Sequence, residues 1–239
     1  MSVEIKNYYR IIPDEYKQSG SGIKYKNYSK IQIPVPFRML VVGASGAGKT
    51  NVIMNLIQIM SCFTKIYLFA KNLTEPLYAY LIDKMNKLSK KLKREVIFVS
   101  NDVIDMPDID EIDTDESNLF IFDDMVTEAV TKQKAISDLF VRGRKSSCSA
   151  IYITQSYFST PSLVRKNCDF IILKKINTKR DLTAIIREYN LDDITVDDLL
   201  KMYKKIVAKG LLDFLMIDLN TNDPDLKFRW NFESIKKLE

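Results

Sequence analysis

Gly43-Ala44-Ser45-Gly46-Ala47-Gly48-Lys49-Thr50 fits the pattern G-x-x-x-x-G-K-[ST] in full. It lies directly after the apolar run Arg38-Met39-Leu40-Val41-Val42 and directly before a stretch of helical spacing that begins near Asn51. Such glycines let backbone N–H groups turn inward around a phosphate, and the N-terminus of the following helix adds partial positive charge. The Lys49 ammonium would reach the β- and γ-phosphates of a nucleotide, and the Thr50 hydroxyl would coordinate Mg²⁺. A second group stands in Leu119-Phe120-Ile121-Phe122-Asp123-Asp124, four apolar residues followed by two carboxylates. There Asp123 would support the Mg²⁺ and Asp124 would polarise an attacking water. Taken alone, the same residues are a strand ending at a solvated Asp-Asp turn.

Composition narrows the chemistry further. The 239 residues contain no histidine, which excludes Ser-His-Asp triads, Cys-His pairs, HExxH zinc sites and any other imidazole-dependent mechanism. The three cysteines, Cys62, Cys148 and Cys168, are odd in number and widely separated, so neither a disulfide framework nor a four-cysteine metal site fits, and a cytosolic setting is expected. No apolar run reaches the roughly 18 residues of a membrane span, and the first residues show no signal-peptide core. A net charge of +5, with 27 lysines to 9 arginines, permits a polyanionic partner without requiring one.

The elements that must position these groups can be read from periodicity. Short β-rich apolar runs occur at 37–42, 65–69, 95–99, 119–122, 150–154, 170–173 and 214–219. Between several of them lie helical stretches at 51–60, 75–88, 131–141, 179–189 and 195–206. In the last, Val196, Leu199, Leu200 and Tyr203 share one face that must pack on something. Alternating strands and helices imply an α/β architecture with a mainly parallel sheet covered on both sides. Residues 1–30 are polar, rich in Tyr and Lys, and broken by Gly20-Ser21-Gly22, so they are expected to form a peripheral arm, with one domain over 31–239. A basic run at 84–94 and an acidic run at 102–116 are expected to be a solvated helix face and a surface loop, with a nucleic-acid patch as the alternative for the first.

A longer signature follows: Arg142-Gly143-Arg144, then a strand ending in Thr154-Gln155, then Ser156-Tyr157-Phe158-Ser159-Thr160-Pro161 and Arg165-Lys166-Asn167. With the two phosphate-chemistry motifs, it resembles the viral genome-packaging ATPases of the FtsK/HerA superfamily, the branch found in poxviruses, other large DNA viruses, virophages and Polinton-type elements. The resemblance spans roughly residues 31 to 232, including Pro34-Val35-Pro36-Phe37-Arg38 and Phe214-Leu215-Met216-Ile217-Asp218. It implies a RecA/ASCE-like P-loop NTPase fold, ATP and Mg²⁺ as cofactors, and a homo-oligomeric ring, hexamer or pentamer. Such a ring moves double-stranded DNA into a preformed capsid, with capsid proteins as partners, in the host cytoplasm at the viral factory and with the virion as a further location.

Under that resemblance Gln155 takes the polar sensor position, where an amide bridges the γ-phosphate and the water; an amide satisfied by loop backbone is the alternative. Arg142, Arg144 and Arg165 are the candidates for an arginine finger offered to a neighbour, only one of which need serve. A surface or DNA-facing role is the alternative for each. Ser156 and Tyr157 are candidate DNA contacts, Tyr157 equally a packing residue, and Phe158 is expected in the core. One departure stands out: the second carboxylate of the pair, Glu in much of the superfamily, is Asp124 here. Two other readings remain: a different P-loop enzyme, such as a helicase or nucleotide kinase, and a nucleotide-dependent scaffold without turnover. A GTPase is disfavoured because no Asn-Lys-x-Asp motif occurs.

Overall fold

The computed structural model describes residues 11, 13, 25–189 and 194–234. Of the arm expected at 1–30, only Ile11, Pro13 and residues 25–30 fall among them; Tyr25 is buried and donates its hydroxyl to the Ile33 carbonyl at 2.9 Å.

Among the described residues nine strands form one sheet, in the order β3-β2-β4-β5-β1-β6-β7-β8-β9, the last three being Leu215–Asp218, Phe228–Trp230 and Glu233–Ser234. The parallel part comprises β1 (Arg38–Val42), β2 (Lys65–Ala70), β3 (Ile97–Ser100), β4 (Asn118–Asp123), β5 (Cys148–Thr154) and β6 (Phe170–Leu173). These strands are apolar on both faces, as a sheet covered on both sides requires. Leu40, Phe120, Phe122, Ala150 and Tyr152 face one core; Met39, Val41, Leu119, Ile121, Ile151 and Ile153 face the other. Across the first, Tyr67 stacks on Phe120 at 4.3 Å and Phe69 on Phe122 at 5.4 Å.

The crossover helices cover these faces. Helix α2 (Lys49–Met60) and α3 (Pro76–Leu92) bury Val52, Ile53, Leu56, Tyr78 and Leu81 on one side. On the other, α4 (Val130–Arg142), α5 (Ser162–Lys166), α6 (Lys179–Glu188) and α7 (Val196–Val207) bury Ile136, Phe140, Val164, Ile185, Leu199 and Tyr203. A four-residue helix, Tyr28–Ile31, precedes β1 and another, Pro224–Lys227, precedes β8. The helical stretches read from sequence all form, within a few residues of their expected ends. Thr178 and Thr195 cap α6 and α7 through their side chains, whereas no side chain caps α2. Among the described residues no helix is long and apolar enough to cross a membrane.

Three differences from the sequence reading have local causes. The third strand begins at Ile97 rather than Glu95, whose carboxylate instead turns to solvent and pairs with Lys65 at 2.7 Å. The run at 214–219 is antiparallel: β7 (Leu215–Asp218), β8 (Phe228–Trp230) and β9 (Glu233–Ser234) extend the sheet beyond β6. Buried Arg229 secures that extension by pairing with Asp218 at 2.7 Å. The acidic run is more than a surface loop, because Val103, Ile109 and Ile112 are buried while Asp102 and Asp108 cap two 3₁₀ turns. The basic run stays an exposed face of α3.

Candidate nucleotide and phosphate site

All six parallel strands end on the same edge of the sheet, and the segments leaving β1, β2, β4 and β5 there build a cleft of about 450 Å³. Its floor is the 43–50 turn. Gly48 is in the left-handed region at φ 81°, which a side chain would strain, and it starts α2. The N–H groups of Gly43 and Ala44 are held by the carbonyls of Thr154 (3.1 Å) and Lys175 (2.8 Å), anchoring the turn to β5 and to the chain beyond β6. The uncapped start of α2 leaves its first N–H groups to a ligand, as anion-binding helix termini do.

Lys49 donates from Nζ to the carbonyls of Gly43 and Ala44, both at 2.9 Å. Burial holds its pKa below the ordinary lysine value, against the opposing pull of Asp123 and Asp124. An ammonium resting on loop carbonyls can exchange them for phosphate oxygens, which are stronger acceptors.

Strand β5 lies between β1 and β4, pairing Thr154 with Val42 and Ile153 with Asp123. The two carboxylates therefore sit one strand removed from the phosphate loop, with the β5 terminus, which leads into Gln155, between them. Asp123 is largely buried, and desolvation raises its pKa, opposed by a hydrogen bond from Tyr78 and by Lys49. Tyr78 Oη donates to Asp123 Oδ2 at 2.7 Å and also interacts with Thr50. Burial, then the neighbouring carboxylate, raises the pKa of Tyr78, so it acts as a donor.

Thr50 and Asp123 offer a hydroxyl and a carboxylate, hard oxygen donors of the kind Mg²⁺ takes. No cluster of three or more Cys, Asp or Glu side chains able to cage a metal occurs among the described residues, so the donor set suits an ion shared with substrate phosphates.

Asp124 is exposed, at φ 58° and ψ 33°, and lines the cleft. That left-handed backbone supplies a physical reason for the departure from Glu, because Asp tolerates it better. Gln155 also lines the cleft, exposed, and its amide has no partner within the described residues. It is thus not consumed by loop backbone.

The three arginines diverge. Arg142 pairs with Asp110 at 2.6 Å. Arg165 is mostly covered, pairs with Glu188 at 3.2 Å and lies over the Tyr157 ring at 4.8 Å. Arg144 is exposed and its side chain has no partner among the described residues. It precedes β5, at the edge where the strands begin, roughly 20 Å from its own phosphate loop at about 3.3 Å per strand residue. The structure therefore does not bring Arg142 or Arg144 into the cleft of the same chain.

Tyr157 is fully buried, with its hydroxyl on Glu188 at 2.7 Å, so it packs rather than faces a ligand. Ser156 turns back on its own loop, accepting from Ser159. Phe158, expected in the core, is 46% exposed; Arg180 covers its ring in place of the core.

Sequence reasoning missed Tyr78 together with Lys71, Asn72 and Glu75, which form the wall opposite the phosphate loop. A signal was available in Glu75-Pro76. Glu75 caps α3 by accepting from the N–H groups of Leu77 and Tyr78, both at 3.1 Å, and Pro76 occupies the first turn. Lys174 was missed too. It is buried beside Gly43, and its Nζ donates to the carbonyls of Leu211 (2.6 Å) and Asp213 (3.0 Å).

The family described as Poxvirus A32 protein matches residues 24–211. Among solved structures, the chain is similar to the genome packaging NTPase B204 of Sulfolobus turreted icosahedral virus 2 in complex with ATP-γS. That match has 18% identity and a TM-score of 0.57, covering 82% of this chain and 96% of that one. The same protein with AMPPCP gives 18% identity, a TM-score of 0.56, and coverage of 81% and 96%. B204, the DNA-packaging ATPase from Sulfolobus turreted icosahedral virus, gives 16% identity, a TM-score of 0.55, and coverage of 82% and 97%. No curated protein sequence matches the chain at a significant level.

Proposed function

The chain belongs to the poxvirus A32 protein family, and from that premise we propose that it is a Mg²⁺-dependent ATPase that drives double-stranded DNA into a preformed viral capsid. The observation that carries this reading is the convergence in one cleft of the 43–50 turn, Asp123 held by Tyr78, and the exposed Asp124 and Gln155. Likeness to B204, a packaging NTPase crystallised with ATP-γS and AMPPCP, supports ATP as the nucleotide.

Each side chain has a defined task in this mechanism. Lys49 leaves the Gly43 and Ala44 carbonyls for the β- and γ-phosphate oxygens. Gln155 orients the water, and Asp124 accepts its proton. Thr50 and Asp123 would hold Mg²⁺, which neutralises charge on the β- and γ-oxygens when bound. Arg144 of an adjacent copy supplies the guanidinium that stabilises charge growing in the transition state, since its own cleft is out of reach. The product is a homo-oligomeric ring of hexamer or pentamer type around DNA, engaging capsid proteins, in the host cytoplasm. Three free cysteines fit a reducing compartment.

The test is ATP hydrolysis with and without long duplex DNA, for wild type beside Lys49→Ala and Asp124→Asn. DNA-stimulated turnover that both substitutions abolish is the expected result. Nucleotide binding without turnover, in the presence of DNA and capsid, would replace the motor with a scaffold, and transfer to a small acceptor would replace it with a kinase.

A further inference from the structure

Phe158 lies three residues past Gln155, in the loop that leaves β5 on the cleft edge. The guanidinium of Arg180 sits over its ring, 4.5 Å from the centroid. The Phe158 N–H reaches Asp181 Oδ1 at 3.4 Å and ties this loop to the first turn of α6. Phe158, Lys179, Arg180, Thr183, Ala184 and Arg187 line one shallow groove. Arg180, Ala184 and Arg187 follow one helix face at i, i+4 and i+7, which spaces the two arginine Cα atoms about 10.5 Å apart along the axis.

Among the described residues no carboxylate forms an ion pair with this positive charge. Lys179 and Arg187 are exposed and have no partner within the described residues. The adjacent carboxylates are engaged elsewhere: Asp181 with the Thr178 hydroxyl at 2.7 Å, and Glu188 with Tyr157 and Arg165. In the basic run on α3, Lys87 is paired with Asp83 and Arg94 with Glu116, while Lys84, Lys90, Lys91 and Lys93 have no ion pair among the described residues. That run also heads away from the cleft.

We propose that this face, with Lys179, Arg180 and Arg187 around the Phe158 ring, grips the phosphodiester backbone of the duplex DNA being moved. The assignment rests on the motor reading and gives it a contact surface. Duplex DNA carries one negative charge per about 1.7 Å of axis, so the span between the two arginines faces about six of them. Phe158 shields the Arg180 guanidinium on one side and fixes its direction, which lowers the entropy lost on contact. Because only two residues separate this ring from Gln155, a change at the γ-phosphate has a short covalent path to the DNA.

The experiment measures duplex binding by fluorescence anisotropy from about 50 to 200 mM salt, a range over which phosphate contacts weaken strongly, using the full-length chain. The variants are Arg180→Ala/Arg187→Ala, the control pair Lys90→Ala/Lys91→Ala on α3, and Phe158→Leu. Each lost phosphate contact should flatten the slope of log K against log salt by about 0.9, so the arginine pair should flatten it by about 1.8 and the control pair by much less. Phe158→Leu keeps bulk but loses the stacked ring, and should weaken binding with little change in slope. Thermal melts establish that each variant is folded. An arginine pair with the wild-type slope, or a control pair that flattens it equally, overturns the surface alone. A wild type that binds no duplex at low salt overturns the surface and the motor reading together.

Discussion

At the scale of single residues, the cleft is defined by what holds Asp123. A carboxylate this buried needs its hydrogen bonds, and Tyr78 provides one at 2.7 Å while keeping its own proton. Outer partners of metal-holding groups typically carry 10–100-fold of affinity or activity. Tyr78→Phe should therefore weaken Mg²⁺-dependent nucleotide binding by about tenfold or more, measured by titration with a fluorescent nucleotide, while nucleotide binding without metal changes little. Burial also makes Asp123 costly to ionise. Its folded pKa is raised, so the folded state holds this proton more tightly than the unfolded state does, and the group's contribution to stability falls as pH rises through the raised value. Asp123→Asn should accordingly melt a few degrees higher than wild type at neutral pH without nucleotide or metal. The gain should shrink as the pH approaches 4, in melts run across that range.

At the scale of elements, the close approach of β1 to β6 decides how the turn is built. A Cβ on Gly43 would lie 2.6 Å from the Lys174 Cβ, an atom fixed to the backbone that cannot swing aside. Gly43→Ala should destabilise the protein by about 1–3 kcal/mol, the usual range for overpacking. It should also weaken nucleotide binding, as a melt and a binding titration would show together. The same elements explain what sequence reading reached. The 43–50 turn, the Leu119–Asp124 run and the alternation of strand and helix are contiguous patterns, so local spacing reveals them. Tyr78 escaped because its partner lies 45 positions away and its ring looks like any other in an amphipathic helix. Lys174 escaped because a charged residue after an apolar strand reads as the start of a surface loop, whereas here backbone carbonyls satisfy its ammonium. Phe158 misled for the opposite reason, since an aromatic side chain suggests a core and a cation covers it instead. The antiparallel strands β8 and β9 span three and two residues, too short to show alternation.

At the scale of the whole molecule, the cleft and Arg144 stand at opposite edges of one sheet. Catalysis shared between copies is then testable by mixing. Lys49→Ala and Arg144→Ala chains should each be inactive, and an equal mixture should regain up to about a quarter of wild-type turnover, from junctions that join an intact cleft to an intact arginine. No recovery on mixing, despite co-assembly, would remove Arg144 from the reaction. The same placement has a consequence for symmetry. A two-fold pair would serve both clefts only if one self-complementary patch spanned both edges, so that each cleft met the other copy's arginine. A head-to-tail junction, as in the proposed ring, needs no such patch, since it sets one edge against the other and closes by rotation. Parity then carries no weight: five copies satisfy every junction as fully as six, and the count is left to the curvature that each junction imposes.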